Sequence, residues 1–355
     1  MNPILTAAVV GGGFGGRLSL TALQNSDRYR VLAAADLRPD VREALERDFP
    51  GVSTYPSHAQ MFAESPVDVV CVSTYPPSHE EVVLAALSMP SLKGILVEKP
   101  LGSTAAAGRH ILDAISARGL PMVVPHGLRS LATPLDIVRR IEEGAIGELR
   151  LIEVQCDKWD LLNAGIHWLE FCMAATGEAP IRSVLAACDT SSRTYRDGMQ
   201  VETAAVTYVE NENGVRMIVQ TGDYIRVNTP GKGTLFRLFG TRGFIEFWGW
   251  EPSYFILNPE HPGGKLITPV ELPVTGHQCH LESLACQVAE GKADYRLAGA
   301  SQTALEICEA AFVSHKYRCQ VNFPFADFSP PPASQWEPGK PYSGHGGGRD
   351  GRTLA

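Results

Sequence analysis

Long apolar runs are missing from this sequence. No stretch approaches the roughly 20 consecutive apolar residues that a helix needs to cross a lipid bilayer. The start, MNPILTAAVVGGG, also lacks the basic segment of a secretory signal and leads directly into glycines. We therefore expect a cytoplasmic protein with no membrane partner.

An excess of basic residues is missing as well. The 39 aspartates and glutamates outnumber the 31 lysines and arginines, which leaves a net charge of −8. A nucleic-acid-binding protein needs positive charge against the phosphates, so nucleic acid is not an expected partner.

Paired cysteines are the third absence. The 8 cysteines are scattered, and no two of them have the C-x-x-C spacing. His277-Gln278-Cys279-His280 groups possible metal ligands, but no second pair nearby would complete a tetrahedral site. We predict reduced cysteines and no bound metal.

Strands and helices alternate in the first third of the sequence. Helical patterns separate five apolar segments, which are ILTAAVV, YRVLAAAD, VDVVCVST, GILVEKP and PMVVPHG. Continuous apolar strands with intervening helices indicate a parallel sheet covered on both faces. We predict an α/β protein in which residues 1–127 form a Rossmann domain with a doubly wound parallel sheet.

The pattern changes after this region. From Ile181 to Val270, alternating strands are joined by turns such as ENENG, which is typical of an antiparallel sheet. Residues 128–328 are therefore predicted to form an α+β domain with a mostly antiparallel sheet. Residues 329–355 are rich in proline and glycine, and we predict a disordered tail or an extended arm there.

The segment AVVGGGFGGR has a nucleotide-binding pattern. Gly11, Gly13 and Gly16 have the G-x-G-x-x-G spacing between a predicted strand and a predicted helix. They permit a tight turn, close approach of a pyrophosphate, and close packing of the helix on the strand. The helix N-terminus that follows is predicted to bind the phosphates of a dinucleotide. Phe14 and Gly15 are further predicted cofactor contacts.

Asp36 ends the second predicted strand, 20 residues after Gly16. An acid at this position accepts hydrogen bonds from ribose hydroxyls and repels the 2′-phosphate of NADP. Two alternatives remain, in which Arg38 serves such a phosphate or Asp36 only caps the next helix. We predict NAD as the cofactor, with NADP less favoured, and Leu37 as a further contact.

Two more predicted strands end at the same edge of the sheet, in STYPPSH and in ILVEKPLGS. Ligands of a doubly wound sheet bind outside the carboxyl ends of its strands. His79 has an equal alternative as a helix-start residue. A surface ion pair is the alternative for the two charges before Pro100, but the apolar strand and the proline argue against it. The residues predicted here to contact the cofactor are Thr74, Tyr75, Pro76, His79, Glu98 and Lys99.

The segments Gly11–Arg17, STYPPSH and Glu98-Lys99-Pro100 together resemble the glucose–fructose oxidoreductase / inositol dehydrogenase family (Gfo/Idh/MocA). The likeness continues in LFGTRGFIEF, in the region 235–247, and at Gly291–Gly299, and covers roughly residues 5 to 325. It implies that residues 128–328 form a substrate and oligomerisation domain with a large open sheet. We therefore expect a homodimer or homotetramer. We also predict that the Lys99–Pro100 peptide bond is cis.

The segment DLLNAGIHWLEF carries the remaining predicted chemistry. On an α-helix, Asp160, Asn163, His167 and Glu170 would share one face, as an active-site surface or as a solvated stripe. In the resembling family this helix reads D-x-G-x-H, and its aspartate and histidine act with the EKP lysine at the reacting carbinol. Asn163 stands here in place of that aspartate. We predict Lys99 and His167 as catalytic groups, Asn163 as an orienting residue, and Asp160 as a source of the missing charge.

The predicted substrate contacts are His126, Arg129 and Trp159. The HGLR segment resembles the family's arginine-bearing segment, which implies that His126 lies near the nicotinamide and that Arg129 holds an acidic or polar substrate. For both residues, a structural role between the domains is an equal alternative.

Three functions follow as hypotheses. The first is an NAD-dependent oxidoreductase acting on a carbinol of a sugar, polyol or sugar acid. The second is an enzyme that keeps NAD tightly bound and uses transient oxidation for isomerisation, elimination or glycoside hydrolysis. The third is a non-enzymatic sugar or dinucleotide sensor, which the presence of Lys99 disfavours.

Overall fold

The computed structural model describes residues 4–192, 195–225 and 232–327. The chain divides into two compact units, Met1–Ser130 with Val274–Gln302, and Leu131–Pro273 with Thr303–Ala355. The predicted boundary between residues 127 and 128 lies close to the division after Ser130. The prediction differs for residues 274–302, which it assigned to the second domain and which belong to the first unit. The predicted tail at residues 329–355 lies outside the described residues.

The strands and helices alternate in the first unit and separate in the second. The strands are β1 (Leu5–Val10), β2 (Tyr29–Ala35), β3 (Ser53–Tyr55), β4 (Val69–Val72), β5 (Gly94–Val97), β6 (Met122–Val123), β7 (Leu149–Asp157), β8 (Ile181–Asp189), β9 (Tyr195–Arg196), β10 (Met199–Gln200), β11 (Ala204–Asn211), β12 (Arg216–Gly222), β13 (Thr234–Gly240), β14 (Gly243–Trp248), β15 (Tyr254–Asn258), β16 (His261–Ile267) and β17 (Val321–Asn322). The helices are α1 (Phe14–Gln24), α2 (Pro39–Asp48), α3 (His58–Glu64), α4 (Pro76–Leu87), α5 (Ala105–Ala117), α6 (Ala132–Glu142), α7 (Ile166–Ala175), α8 (Gly276–Glu290) and α9 (Arg296–Tyr317).

The first unit is built on a six-stranded parallel sheet in the order β3-β2-β1-β4-β5-β6. Successive residues of a strand face opposite sides, so Ala7 and Val9 enter one apolar core while Ala8 and Val10 enter the other. Helices α3, α4 and α5 bury side chains in one core, and α1, α2 and α8 bury theirs in the other. The predicted parallel sheet with two covered faces is confirmed.

Two short elements of the first unit were not predicted. The strand β3 has only 3 residues, and α3 has 7 residues. Segments of this length are too short to show a hydrophobic period, and their place at the edge of the sheet is decided by tertiary pairing with β2.

The second unit contains a nine-stranded sheet in the order β16-β15-β14-β13-β7-β12-β11-β8-β17. All neighbours are antiparallel except β7 and β12, which run parallel. This arrangement confirms the predicted, mostly antiparallel sheet. Within the described ranges, no helix combines the length and the apolar character that crossing a bilayer requires.

Candidate active site

The glycine-rich turn between β1 and α1 lies at the carboxyl edge of the parallel sheet. Gly11 has φ 98°, and a Cβ there would come within 2.4 Å of the carbonyl oxygen of Ser73. A Cβ at Gly16 would come within 1.7 Å of the carbonyl oxygen of Gly11. Both positions therefore require glycine. The N-cap of α1 is Gly13, which has no side chain to occupy the first-turn N–H groups, so these can bind an anion.

The strand order also marks this edge as a binding position. Strands β1 and β4 are neighbours in the sheet, and the connections from them lead to opposite ends of it. Ligands of such sheets bind at this point of reversal. The turn, the open helix N-terminus and the strand order together fit a dinucleotide cofactor.

Asp36 lies directly beside the glycine-rich turn. Its Oδ2 accepts a hydrogen bond from the Gly12 N–H at 2.8 Å, and Arg38 donates to both carboxylate oxygens at 3.1 and 3.2 Å. Burial would raise the pKa of the Asp36 carboxyl, but the hydrogen bonds from Arg38 and Gly12 outweigh it and lower the pKa. The N-cap of α2 is Arg38, which excludes the alternative that Asp36 caps this helix.

Large apolar side chains are exposed at the same edge. Phe14, the first residue of α1, is 67% exposed, and Leu37, which follows Asp36, is 71% exposed. Apolar side chains of this size are suited to contact a flat base, so both positions agree with their predicted place in the cofactor site.

In the STYPPSH segment that follows β4, some side chains are accessible to solvent and others are buried. Thr74 and Tyr75 are half-buried, and α4 begins at Pro76. His79 is fully buried, with Nε2 3.0 Å from the carbonyl oxygen of Thr74 and Nδ1 3.3 Å from that of Leu101. Burial lowers its pKa and favours the neutral imidazole. These contacts correspond to the structural alternative for His79, because its ring is held inside the unit.

Glu98 and Lys99 follow β5, and the Lys99–Pro100 peptide bond is cis, as predicted. The Glu98 side chain is only 12% exposed, and its Oε1 lies 2.5 Å from Nε2 of His277. Burial would raise the pKa of the Glu98 carboxyl, but the hydrogen bond with His277 and the charge of Lys99 lower it. The alternative of a solvated surface ion pair is therefore excluded for Glu98.

His126 and Arg129 differ in accessibility. His126 is fully buried, its Nε2 lies 2.8 Å from Ser301 Oγ, and its carbonyl oxygen lies 3.0 Å from His280 Nε2. Burial, with the nearby charges of His280, Lys99 and Arg129, holds the pKa of His126 well below its usual value. Arg129 is half-exposed in a short 3₁₀ turn. Of His126 and Arg129, two of the three predicted substrate contacts, only Arg129 is accessible.

The helix that carries His167 differs from the prediction. Residues Leu161–Gly165 form a π-helical turn, and α7 follows from Ile166. Asp160 precedes the turn with extended backbone, φ −85° and ψ 167°, as its N-cap. The prediction that Asp160, Asn163, His167 and Glu170 share one face of an α-helix is therefore wrong. The wider π turn shifts the later side chains around the axis, and Asp160 stands outside the helix.

Only two side chains of this helical stretch reach the surface. From Leu161 to Ala175, every residue is buried except Asn163 and His167, which are half-buried. Glu170 is fully buried. A solvated stripe would expose a continuous polar face, so that alternative does not describe this helix. The remaining polar surface consists of the Asn163 amide and the His167 imidazole, and the alternative that the sequence offered for it is an active-site surface.

Buried acids hold the start of the π turn. Asp160 accepts a hydrogen bond from the Asn163 N–H at 2.7 Å and pairs with Arg196 at 2.9 Å, both side chains being almost fully buried. Glu202 accepts a hydrogen bond from the Leu161 N–H at 2.7 Å. Negative groups at a helix N-terminus are stabilising. These contacts indicate that Asp160 stabilises the turn. They do not support its predicted role as a negative charge acting on His167.

Aromatic side chains lie beside His167. The rings of Trp168 and Trp250 are each centred 6.2 Å from the imidazole. Trp250 is 54% exposed and has φ 73°, a left-handed backbone conformation that is uncommon for a bulky residue. Trp159 is half-buried, with the Arg196 guanidinium 5.7 Å from its ring centre. Sequence reasoning missed Trp250, because no local pattern links it to His167 or predicts its backbone.

Sequence comparison identifies the first unit. Residues 5–126 match the model of the Gfo/Idh/MocA oxidoreductases, described as an oxidoreductase family with an NAD-binding Rossmann fold. The resemblance found in the sequence motifs is confirmed, and so is the prediction of a nicotinamide cofactor of the NAD type.

Curated relatives of this chain include dehydrogenases and an uncharacterised oxidoreductase. The uncharacterised one, from Schizosaccharomyces pombe, is 31% identical over 47% of this chain and 45% of its own length. Trans-1,2-dihydrobenzene-1,2-diol dehydrogenase of Bos taurus is 23% identical over 73% of this chain and 77% of its own length. Inositol 2-dehydrogenase of Pseudomonas syringae is 33% identical over 34% of this chain and 35% of its own length. The chain thus spans less than half of two of these relatives.

Solved structures share the fold over nearly the whole chain. An oxidoreductase from Desulfitobacterium hafniense has a TM-score of 0.78 at 18% identity, covering 92% of this chain and 99% of its own. One from Agrobacterium radiobacter, in complex with NAD+, L-tartaric acid and magnesium, has a TM-score of 0.74 at 19% identity, covering 90% of this chain and 98% of its own. At these identities the likeness shows the fold alone.

Metal-binding geometry is not apparent in the described parts of the chain. Nowhere in them do three or more His, Cys, Asp or Glu side chains gather as metal ligands would. All eight cysteines are free.

Replacing Asp36 with alanine tests the cofactor assignment. A hydrogen bond to a charged group contributes about 1.5–3 kcal/mol, so NAD binding should weaken by about 10- to 100-fold. NADP binding should fall less or improve, because the carboxylate no longer opposes the 2′-phosphate. Calorimetric titration of both dinucleotides measures this, with Asp40→Ala as a control that removes an exposed negative charge nearby. Tighter binding of NADP than of NAD by the unaltered protein would transfer the main role to Arg38.

Proposed function

We propose that this protein is an NAD-dependent oxidoreductase that transfers hydride between the nicotinamide and a carbinol of a sugar, polyol or sugar acid. The observation that carries the proposal is the pair of Asn163 and His167. These are the two accessible side chains on an otherwise buried helical stretch, from Leu161 to Ala175. Partly exposed polar side chains on a buried helix add little to stability, whereas a general base must be accessible to the substrate.

The chemistry assigns a separate task to each residue. Bound NAD supplies the hydride acceptor. His167 accepts the hydroxyl proton as the carbinol becomes a carbonyl, and Asn163 orients its imidazole. Lys99 donates a hydrogen bond to the same oxygen and stabilises the negative charge that develops on it. Arg129, Trp159 and the exposed Trp250 are proposed to contact the substrate.

The relatives support an alcohol substrate that carries neighbouring hydroxyl groups. Their names denote dehydrogenases of a cyclic diol and of inositol. A ring that carries hydroxyl groups has polar edges and apolar C–H faces. An exposed tryptophan next to a histidine suits such a molecule, because the indole can pack on the apolar face.

The direct test is a screen of NAD+ reduction by sugars, inositols and sugar acids, followed at the absorbance of NADH. The dinucleotide that copurifies with the protein is released by denaturation and identified. Substrate-dependent formation of NADH supports the proposal. If no compound of these classes reduces NAD+ and bound NAD is present, the result favours the second candidate function, which is described next.

The second candidate is an enzyme that keeps NAD bound and uses transient oxidation for isomerisation, elimination or glycoside hydrolysis. The presence of Asn163 where the family has aspartate favours it. An amide orients an imidazole but cannot stabilise an imidazolium by its charge. In such an enzyme the carbonyl intermediate is formed and consumed at one site. Its proton transfers therefore differ from those of a simple dehydrogenase, which only removes the hydroxyl proton.

We also propose a homo-oligomer, a dimer or tetramer, formed through the open face of the nine-stranded sheet. On this face Leu185 of β8 and Val206 of β11 are each 48% exposed. Their cross-strand partners are Tyr208 and Ala187, which makes the patch contiguous and mainly apolar. Contiguous exposed apolar patches are typical of association surfaces.

Removal of either proposed catalytic group should affect the chemical step. General acid–base groups contribute about 10²–10⁴-fold, so Lys99→Ala and His167→Ala should each lower kcat by that range. NAD affinity, measured by fluorescence titration, should change far less. The two losses should not multiply in the double variant, since both groups act on one oxygen. Lys292→Ala, which removes an exposed lysine, is the control. Full activity of His167→Ala would contradict the assignment.

Asn163→Asp restores the acid of the family and separates the two candidates. If the amide only orients His167, NAD+ reduction should persist or increase, because a carboxylate orients the ring equally well. Steady-state kinetics and the dissociation constant for NAD are measured together. Loss of activity with intact NAD binding would show that the neutral amide is required and would favour the second candidate.

Val206→Arg should dissociate the oligomer. A guanidinium buried at a symmetric contact would face its own copy, and like charges there are strongly unfavourable. Light scattering should show the mass falling to that of one 38.4 kDa chain. Val270→Arg, at a position 91% exposed, is the control and should leave the mass unchanged. An unaltered protein that is already a single chain would exclude the proposed oligomer.

A further inference from the structure

His277 takes no part in the chemistry described above, yet it contacts the EKP segment directly. It is the second residue of α8, and its Nε2 lies 2.5 Å from Glu98 Oε1. The two side chains are 13% and 12% exposed. A hydrogen bond to a carboxylate so well shielded from water is stronger than one at the surface.

The second oxygen of the same carboxylate reaches the backbone of Lys99. Glu98 Oε2 accepts a hydrogen bond from the Lys99 N–H at 3.3 Å, while the Glu98 N–H donates to the Val72 carbonyl oxygen at 2.9 Å. His277, the Glu98 carboxylate and the Lys99 peptide thus form a chain of hydrogen bonds. This chain ends at the peptide from which the Lys99 side chain extends.

Packing also restricts the Glu98 carboxylate. A Cβ at Gly15, in the first turn of α1, would come within 2.9 Å of Glu98 Oε1. The carboxylate therefore fills the space that glycine leaves beside the cofactor turn. The same oxygen, Oε1, also forms the hydrogen bond with His277.

Helix α8 is a rigid support for His277. The Gly276 N–H donates to Ser130 Oγ at 2.9 Å, and Tyr29 Oη donates to the Leu281 carbonyl oxygen at 2.6 Å. Leu281 and Leu284 are fully buried in the core of the first unit. A group used to set the geometry of a site is effective when its own position is determined in this way.

We propose that His277 is a positioning residue, which holds the Glu98 carboxylate and through it the Lys99 peptide, so that the Lys99 ammonium is presented to the substrate oxygen. The proposal rests on the proposed function of Lys99. It explains why the strand ends in two opposite charges, since the glutamate orients the peptide of the lysine that follows it.

Two substitutions at one position separate this role from simple stabilisation. His277→Gln places an N–H the same number of bonds from Cα as Nε2 and keeps the hydrogen bond to Glu98. His277→Leu fills similar space without a donor. Because a misplaced group near the reaction can cost about 10²-fold, the leucine variant should lower kcat by about 10- to 100-fold, with the glutamine variant retaining most of it. The KM and dissociation constant for NAD should change little in either variant.

A second readout does not depend on activity. In protein labelled with ¹⁵N-lysine, the Lys99 amide resonance is assigned by its loss in Lys99→Arg. It should shift in His277→Leu and return towards its original position in His277→Gln. This arm remains informative if no substrate is found, so failure of the proposed function and failure of the positioning role are distinguishable.

The matched control is the pair of His110 and Glu80, which also lie 2.5 Å apart but are exposed. His110→Leu should change neither kcat nor the Lys99 resonance. If His277→Leu does not fold, His277→Asn replaces it. The asparagine amide is one bond closer to Cα than histidine Nε2 and therefore does not reach Glu98. The proposal is overturned if the Lys99 resonance is unmoved by loss of the donor. It is also overturned if the glutamine and leucine variants lose kcat equally.

Discussion

The need to cover both faces of a parallel sheet determines much of this structure. One face of the six-stranded sheet receives α3, α4 and α5, and the other receives α1, α2 and α8. Helix α8 follows eight of the nine strands of the second-unit sheet in sequence, so the chain must return to complete the first unit. A consequence of this return is that His277 arrives beside Glu98. The same burial that stabilises the sheet therefore provides a contact at the carboxyl edge, where the residues predicted to bind the cofactor lie.

The second unit uses buried charge in a different way. Asp160, Arg196 and Glu202 are almost fully buried. Asp160 and Glu202 accept hydrogen bonds from N–H groups at the start of the π turn, and Arg196 pairs with Asp160. Buried ion pairs contribute little net stability, but they are exacting about geometry. Their effect here is to set the turn that carries Asn163. Four residues later, His167 is the other position of the stretch that is not buried.

Two histidines, predicted either to contact a ligand or to have a structural role, lie in the interior. His79 and His126 are fully buried, and the causes of their lowered pKa values begin with burial. Their positions after strands were predicted correctly, because strand ends can be located from apolar runs. The direction of each side chain depends on neighbours that are distant in sequence, such as Ser301 for His126. Sequence pattern alone holds no information about those neighbours.

The sequence by itself determined the parallel sheet, the glycine turn, the place of Asp36 and the EKP segment, because each depends on local period, spacing or backbone preference. It also marked Asn163 and His167 as exceptional residues in an apolar helix. The tertiary structure alone decided that a π turn precedes α7, that Asp160 pairs with Arg196, that Trp250 stands beside His167, and that His277 binds Glu98. Each of the last three joins residues far apart in the chain. Such contacts are selected by the packing of whole elements, and no short segment encodes them.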